Sequence, residues 1–515
     1  MNILMIYPEM PKTIGKFDDL VKLSGKKASF PPIALLTIAS MLPNVWNIKL
    51  IDLNVKNEFI SELSWADYVF ISAMNVQSIS TKYIINTCKE HNVKVVAGGP
   101  LFTHEYEKFP NVDHFVLNEA EITLPEFLND LKNNQLKKIY RTEKFADVLT
   151  TPQPNWDLLN LNDYLYSLIQ FSRGCPYLCE FCDVTTLYGR VPRTKTTEQI
   201  INELDLLISK GKNEMIFFAD DNLIGNKNVL KKDLLPALIN WRKNNLYAPA
   251  FATQLTITLA DDEELMRMLY EAGFRHIIIG IETIDQEALV KMRKKQNTKR
   301  DLLENVQLLQ SKGFLIIGTF IVGLDTDTEK VFDNLIKFIQ ESGIIFVVVN
   351  VLKAPPGTEL YERMKRENRL LTEFEFGENK TNIIPIMDAD TLHKGYKKVL
   401  SEVYNPQNVY ERIVTNLDNL DPFKIQMYIR RKVSYREFLT FTKIIFTLGV
   451  VYKGRKYFWK SFLHTIFYKR QYLDLTILFC MLMYQYSNLL DSFLENEKKG
   501  ILIYSKGNLE TAKAS

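Results

Sequence analysis

Residues 171–182 read FSRGCPYLCEFC, which spaces Cys175, Cys179 and Cys182 as C-x3-C-x2-C. Residues 168–172 have the length and composition of a buried parallel strand. Three thiolates in one loop can hold three irons of a four-iron cluster and leave the fourth iron open. Structural zinc and chance clustering are the alternatives, but zinc normally takes a second Cys/His pair, and the nearest downstream histidine is His276. The stretch therefore predicts an iron–sulfur cluster.

The cysteine motif opens a series of strands that alternate with amphipathic helices. Further buried strands are predicted at 214–219, 250–257, 276–281, 315–322 and 344–351. Thr196 and Gln199 form a predicted capping box at the start of one intervening helix. Six β-then-α units predict an incomplete parallel barrel of the TIM type, with its catalytic groups at the carboxyl ends of the strands.

A different α/β series precedes the motif. Short apolar runs at 2–7, 47–53, 68–72, 93–97 and 114–117 alternate with helical patterns, which predicts a Rossmann-like, doubly wound domain whose ligand edge is formed by the loops after its strands. A charged, proline-containing stretch then breaks both periodicities. We predict a Rossmann-like domain at 1–135, a linker at 136–165, a barrel at 166–385 and a helical C-terminal domain at 386–515.

Composition narrows the class of protein. The chain has 515 residues, 46% of them hydrophobic and 24% charged, which excludes a disordered or collagen-like chain. Its net charge of +3 gives no overall nucleic-acid signature. Five cysteines, three of them in one loop, are not a disulfide framework, and the N-terminus lacks the features of a signal peptide. We therefore expect a cytoplasmic protein with reduced thiols.

One region is strongly basic. Residues 424–470 contain twelve Lys or Arg against one acid, Glu437, and are interleaved with aromatic residues. Two interpretations remain open: a helical cap with its cations in solvent, or peripheral contact with the anionic inner face of a membrane. Nucleic acid is not expected, because no recognition motif accompanies the charge. The apolar run 475–484 is shorter than the about twenty residues of a membrane span and predicts a buried helix.

The cysteine motif, with Phe181 before the third cysteine, resembles that of radical S-adenosylmethionine (SAM) enzymes. The resemblance implies that the three cysteines ligate a [4Fe-4S] cluster whose open iron chelates the amino and carboxylate groups of SAM. Electron transfer from a low-potential donor such as flavodoxin or ferredoxin would then yield a 5′-deoxyadenosyl radical that abstracts hydrogen. In such enzymes the cofactors carry the chemistry, and the protein positions them.

Weaker matches follow along the barrel. FADDN at 218–222 ends the second strand, GIET at 280–283 resembles the family's Gly-Ile-Glu-Ser/Thr segment, and GTFIVG at 318–323 resembles a strand that approaches adenine with its backbone. Helix capping is the alternative role for the two aspartates. Arg190, Arg193 and Lys195 either bind the SAM carboxylate or form a solvated helix start. The SAM-binding residues implied by the resemblance are Phe181, Asp220, Asp221, Glu282, Gly318 and Phe320.

The N-terminal domain resembles the cobalamin-binding module of one branch of these enzymes, through PPIALL at 31–36, GGP at 98–100 and NEAE at 118–121. No Asp-x-His-x-x-Gly motif exists, so the cobalamin is expected without a protein histidine ligand. Asn118 stands where relatives usually have glycine, and a domain that has lost its ligand is the alternative. The cobalamin-binding residues implied are Tyr7, Ser72, Met74, Asn75, Gly98, Gly99, Pro100, Asn118 and Glu119.

The order of domains is similar to that of lipid-modifying members of the branch, hopanoid methylases among them. The resemblance implies a cobalamin-dependent radical SAM methyltransferase that acts on an unactivated carbon of a hydrophobic small molecule or lipid. One alternative is a radical SAM enzyme that catalyses cyclisation, carbon–carbon coupling or rearrangement without methyl transfer. Another is a non-enzymatic metal-bound protein that docks on a membrane or a partner.

Overall fold

The computed structural model describes residues 1–11, 17–211, 215–245, 248–371, 380–420 and 435–499. Two six-stranded parallel sheets are followed by a helical C-terminal region, so the predicted fold class is confirmed. Part of the strand predicted at 214–219 lies outside the described residues, as do residues 424–434 of the basic region.

The first sheet has the strand order β2-β1-β3-β4-β5-β6. Ile3 to Ile6 are fully buried, because helices cover both faces of the sheet. The order reverses between β1 and β3, and doubly wound sheets bind ligands at the carboxyl ends of their strands. The sheet continues to Tyr140, past the boundary predicted at residue 135. Its strands are β1 (Asn2–Tyr7), β2 (Asn47–Asp52), β3 (Tyr68–Ser72), β4 (Lys94–Gly98), β5 (His114–Val116) and β6 (Ile139–Tyr140), and its helices are α2 (Ile33–Met41), α3 (Ile60–Leu63), α4 (Ser78–Glu90), α5 (Pro100–Glu105) and α6 (Ala120–Lys132). The short helix α1 (Asp18–Leu23) packs instead against the C-terminal region.

The second sheet keeps chain order from β7 through β10 to β14 and forms the partial barrel. A two-stranded antiparallel ribbon, β8 with β9, stands beside it. The strands of the second sheet are β7 (Ser167–Ile169), β10 (Ile216–Phe218), β11 (Phe251–Leu255), β12 (Phe274–Glu282), β13 (Leu315–Val322) and β14 (Phe346–Val351), and those of the ribbon are β8 (Ser172–Arg173) and β9 (Arg193–Thr194). Its helices are α7 (Val184–Tyr188), α8 (Thr197–Ser209), α9 (Lys227–Val229), α10 (Leu235–Asn244), α11 (Glu263–Ala272), α12 (Gln286–Lys291), α13 (Leu302–Ser311), α14 (Lys330–Ser342) and α15 (Glu359–Arg366).

The C-terminal helices cover the open edge of the barrel. They are α16 (Ala389–Val403), α17 (Pro406–Asn419), α18 (Tyr435–Phe446), α19 (Arg455–Tyr468) and α20 (Leu473–Lys498). Tyr396 and Tyr404 donate hydroxyl hydrogen bonds to the carbonyls of Val349 and Val347, and Tyr486 accepts one from the Val347 amide. Side chains thus satisfy edge groups of β14 that a neighbouring strand would otherwise pair.

One helical segment is long and apolar enough to cross a membrane by length and composition alone. It covers Arg470–Lys498, with a mean hydropathy of 1.2, and half of its apolar window is buried inside the protein. Leu482, Met483 and Tyr486 on this segment are almost fully buried. This burial agrees with the core helix predicted at 475–484.

Candidate functional site

The cysteine loop leaves the ribbon strand β8 through a glycine that the geometry requires. Gly174 has φ +99°, and a Cβ atom there would lie 3.0 Å from the carbonyl oxygens of Tyr188 and Gly189. Its amide donates a 2.8 Å hydrogen bond to Asp221. The three cysteines that follow are half-buried, and burial raises the pKa of the Cys182 thiol to about 12. Thiolates at these positions therefore need a positive partner such as a metal cluster.

Asp220 and Asp221, at the carboxyl end of β10, hold this loop in place. The Asp220 carboxylate accepts hydrogen bonds from the amides of Phe171 and Ser172 and from the Ser172 hydroxyl. Burial raises the pKa of Asp220 to about 7 and that of Asp221 to about 6. The structure gives both aspartates loop contacts rather than the helix-capping role considered for them.

Glu282, the last residue of β12, takes part in a buried ion pair. Its φ is +64°, and its carboxylate lies 2.7 Å from the Lys294 ammonium. Burial lowers the pKa of Lys294, but Glu282 and Cys179 more than offset this, so that the pKa lies above its usual value. The ammonium also lies 5.7 Å from the centre of the Phe181 ring. A Cβ on Gly280 would meet both charged groups, so glycine is needed there.

Two amide side chains point at the cysteine sulfurs. Gln296 Nε2 lies 3.4 Å from Cys179 Sγ, and Asn222 Nδ2 lies 4.0 Å from Cys175 Sγ. In the described part of the chain, the amide oxygens of both residues are buried without a hydrogen-bond partner. Lys294, Gln296 and Asn222 were not among the site residues predicted from the sequence. Their only signal is a polar run after the GIET segment and an asparagine after the two aspartates.

Gly318 and Phe320 lie on β13 with their side-chain positions toward the outer helices. A Cβ on Gly318 would approach the Phe320 ring, and that ring is fully buried and packs edge-on against Phe338 of α14. The alternating residues Thr319 and Ile321 are half-buried and line the inner face of the barrel. Phe320 can therefore meet a ligand in the barrel only through its backbone.

A cavity of about 250 Å³ opens at the carboxyl edge of the first sheet, between α2 and α6. Its walls are mostly apolar, which is typical of ligand sites. Residues of the ribbon and barrel, Gln170, Arg173, Tyr188 and Lys195, close its far side. Six of the predicted cobalamin-binding residues line it, namely Ser72, Gly98, Gly99, Pro100, Asn118 and Glu119.

The other three predicted cobalamin-binding residues, Tyr7, Met74 and Asn75, do not line this cavity. Tyr7 is half-buried beside Asp52, and desolvation and that carboxylate raise its pKa. Asp52 in turn accepts a 2.9 Å hydrogen bond from the Tyr164 hydroxyl. The end of β1 is therefore packed against the end of β2, and the cobalamin contacts predicted at these three residues stay predictions.

Four charged residues join the two sheets between the cavity and the cysteine loop. Arg173 contacts Glu119 at 2.9 Å and Glu121 at 2.8 Å, and Arg193 contacts Glu119 at 3.0 Å. Both carboxylates are almost fully buried. Of the cations considered for SAM, Arg193 is thus engaged by Glu119, and Lys195 is paired with Glu203.

These residues fit the groups that the motif implies. A four-iron cluster takes its thiolates on separate irons, whereas zinc needs its ligands around one ion, and the described residues show no three His, Cys, Asp or Glu side chains that could hold one ion. In the cavity, the amide oxygen of Asn118 is buried without a hydrogen-bond partner among the described residues. That atom is available to a polar group of a bound cofactor.

Comparison with known families and proteins agrees with this geometry. The model of the B12 binding domain matches residues 27–128, the model of the radical SAM superfamily matches 169–339, and a domain of unknown function matches 358–499. The chain is similar to the structure of TsrM from Kitasatospora setae with cobalamin and [4Fe-4S] cluster bound (TM-score 0.57, 14% identity, 95% of this chain and 99% of that one). It is also similar to the structure of OxsB with aqua-cobalamin and S-adenosylmethionine bound (TM-score 0.59, 16% identity, 99% and 83%).

Two relatives match most of the chain in sequence. An uncharacterized methyltransferase of Synechocystis is 39% identical over 80% of this chain and 78% of its own length. The hopanoid C-2 methylase of Rhodopseudomonas palustris is 32% identical over 89% of this chain and 88% of its own. The predicted enzyme class and its cofactors, a [4Fe-4S] cluster, SAM and cobalamin, are confirmed by these matches. The chain belongs to the radical SAM superfamily, in the branch that carries a cobalamin-binding domain.

Proposed function

We propose that this cobalamin-dependent radical SAM methyltransferase adds a methyl group to an unactivated carbon of a hydrophobic small molecule or lipid. The observation that carries the proposal is the shared wall between the two cofactor regions. Arg173 and Tyr188 line the cavity of the first sheet and also flank the cysteine loop of the barrel. A methyl donor and a hydrogen-abstracting centre that have these residues as common neighbours would lie next to each other, as methyl transfer to one substrate carbon requires.

The net reaction replaces a C–H bond of the substrate by C–CH3. One SAM gives its methyl group, and a second SAM accepts the substrate hydrogen as 5′-deoxyadenosine and releases methionine. Two electrons from a low-potential donor balance the two sulfonium charges. We propose a flavodoxin or a ferredoxin as this donor. When bound, the cluster with SAM supplies hydrogen abstraction, and cobalamin supplies a transferable methyl group.

The chain's own contribution is positioning. Asp220 and Asp221 fix the cysteine loop through backbone amides, and Gln296 and Asn222 present N–H groups toward two of its sulfurs. N–H groups near the sulfurs tune the potential of an iron–sulfur cluster. We propose that Phe181, Glu282 and the backbone at Gly318 and Phe320 surround SAM, and that the two aspartates support it indirectly. Ser72, Gly98, Gly99, Pro100, Asn118 and Glu119 are the proposed cobalamin contacts.

The proposed substrate class rests on the relatives and on the barrel interior. The hopanoid C-2 methylase matches this chain over nearly its full length. Side chains on the inner face of the barrel are mainly apolar, such as Ile278, Ile321 and Val348. The full-length methyltransferase relatives do not favour the alternatives of cyclisation, coupling or a non-enzymatic docking role. Peripheral contact with the inner face of a membrane through 424–470 stays a proposal for the part of that region that the structure describes.

The proposal is tested with full-length protein purified without oxygen and reconstituted with iron, sulfide and hydroxocobalamin. A hopanoid and tryptophan are supplied separately with SAM and a reductant. We expect 5′-deoxyadenosine and a hopanoid product heavier by one CH2 group, with tryptophan unchanged. The C175A/C179A/C182A variant should lose both products, whereas Cys88→Ala, which removes a buried core thiol, should keep them. 5′-Deoxyadenosine with no gain of mass for either substrate would count against methyl transfer to this class.

A further inference from the structure

Helices α18 and α19 and the turn between them expose an unusual amount of apolar surface. Of the 24 large apolar side chains that are exposed among the described residues, eleven lie within residues 435–468. Phe467 is 75% exposed and Phe446 is 59% exposed. Exposed apolar side chains are normally scattered singly, so a concentration of this kind marks an interaction surface. We call it the docking surface; its apolar members are Tyr435, Phe438, Leu439, Phe441, Phe446, Val450, Val451, Trp459, Leu463, Phe467 and Tyr468.

The two helices contribute to one continuous surface. On α19, Trp459, Leu463 and Phe467 follow each other at four-residue spacing and so share one helix face. The Trp459 indole N–H donates a 2.9 Å hydrogen bond to the Gly449 carbonyl, and a Cβ on Gly449 would meet its ring. This contact brings the exposed row of α19 against residues 447–451, which continue α18 and carry Val450.

The opposite sides of these helices fix them to the protein. Leu448 and Phe458 are fully buried, and the Tyr452 hydroxyl donates a 3.2 Å hydrogen bond to the Met483 carbonyl of α20. Lys453 forms an ion pair with Asp491 at 2.9 Å. The docking surface is therefore held on the body of the enzyme, with its apolar side outward.

The charge along this surface is mainly positive, with Glu437 as the one acid in the sequence between residues 435 and 468. Residues 438–470 contain seven Lys or Arg and no Asp or Glu, although the whole chain carries only +3. Arg455, Lys456 and Lys460 are exposed on the first turns of α19, beside Trp459. Cations next to exposed aromatic rings fit an anionic bilayer, where headgroups meet the charges and the rings reach the acyl boundary.

We propose that the docking surface binds the anionic face of a lipid bilayer. A second copy of the chain is a poor occupant, because the exposed cations Arg455, Lys456 and Lys460 would face the same three cations of the other copy. Nucleic acid would meet the charges but leave exposed side chains such as Phe446 and Phe467 in water. The inference goes beyond the proposed methyl transfer and does not depend on it, since it rests on a surface remote in sequence from the cysteine loop. It gives the enzyme a route to a lipid substrate at the bilayer surface.

The test is co-sedimentation of the full-length protein with vesicles of phosphatidylcholine, with and without phosphatidylglycerol, at low and high salt. One variant, F438S/F446S/F467S, removes apolar contact, and another, R455E/K456E, reverses charge. The control V45S/I79S/Y83S removes three side chains of the first domain that are equally exposed. We expect binding to phosphatidylglycerol vesicles, weakened by salt, that falls at least about tenfold in both surface variants and is retained in the control.

Several results would overturn the proposal: no vesicle binding, equal binding to phosphatidylcholine alone, or an equal loss in the control. If gel filtration shows a dimer that dissociates only in the surface variants, the occupant of the docking surface is a second copy of the chain. The surface variants should still form 5′-deoxyadenosine in solution. That readout separates failure of the docking surface from failure of the proposed reaction.

Discussion

The carboxyl edges of the two sheets differ in how their polar side chains are paired. Each edge carries a non-glycine residue with φ +64°, Asn118 after β5 and Glu282 at the end of β12. At the first edge, Asn118 presents to a cavity of about 250 Å³ an amide oxygen that has no hydrogen-bond partner within the described part of the chain. At the second edge, Glu282 forms a buried ion pair with Lys294.

This difference follows from what each edge has to hold. A large organic cofactor needs space, apolar walls and a few free polar atoms, which the first edge offers. A metal cluster needs its thiols fixed before it arrives, and the second edge supplies buried carboxylates and amides for that purpose. The two edges should therefore respond differently to the same kind of substitution.

The largest expected effect is the loss of a single thiol at the second edge. In Cys179→Ser the loop keeps its aspartate anchors, so we expect a folded protein that binds no [4Fe-4S] cluster and forms no 5′-deoxyadenosine. Iron analysis and the cluster absorption check this against Cys480→Ser, which changes a buried thiol of α20. Corrin binding at the first edge should persist in both proteins. Loss of corrin from Cys179→Ser would show that the two edges are not independent.

The second largest expected effect comes from breaking the ion pair between Glu282 and Lys294. Glu282→Gln leaves the Lys294 ammonium buried without its carboxylate, which we expect to lower the free energy of unfolding by about 3 kcal/mol. The matched control is Glu359→Gln, which breaks an exposed pair with Arg293 and should cost less than about 1 kcal/mol. Urea unfolding of the two variants measures the difference. Equal costs would mean that the second edge is not held by its buried charge.

Gly99→Val tests the cavity at the first edge. Gly99 has φ +92°, and a Cβ there would lie 2.9 Å from Ser72 Oγ, so valine both strains the backbone and displaces the cavity wall. We expect the corrin affinity to fall at least about tenfold while the iron content stays unchanged. Gly25→Val, with φ +70° and no atom near its Cβ, is the control for backbone strain alone. A similar loss of corrin affinity in the control would contradict the proposal that this cavity binds cobalamin.

The sequence predicts the parts of this architecture that depend on local pattern. Buried strands, the two sheets and the Cys175 loop follow from apolar runs and cysteine spacing. Lys294 was not predictable, because its pairing with Glu282 depends on how the chain after β12 folds back onto the barrel. Tyr7 is predicted as a cofactor contact from its place at the end of β1, whereas its position beside Asp52 and outside the cavity is visible only in the folded chain.

The smallest expected effect distinguishes the two left-handed residues directly. Asn118→Gly keeps a residue that tolerates φ +64° and removes only an amide, so stability should change by less than about 0.5 kcal/mol. Asn118→Ala removes the same amide but keeps a Cβ in the left-handed region, which costs about 1 kcal/mol. If the amide oxygen serves the cofactor, both variants should weaken corrin binding equally despite their different stabilities. If both variants bind corrin as the unmodified protein does, the Asn118 side chain makes no contact with the cofactor. The residue would then serve only to hold the backbone in its left-handed conformation.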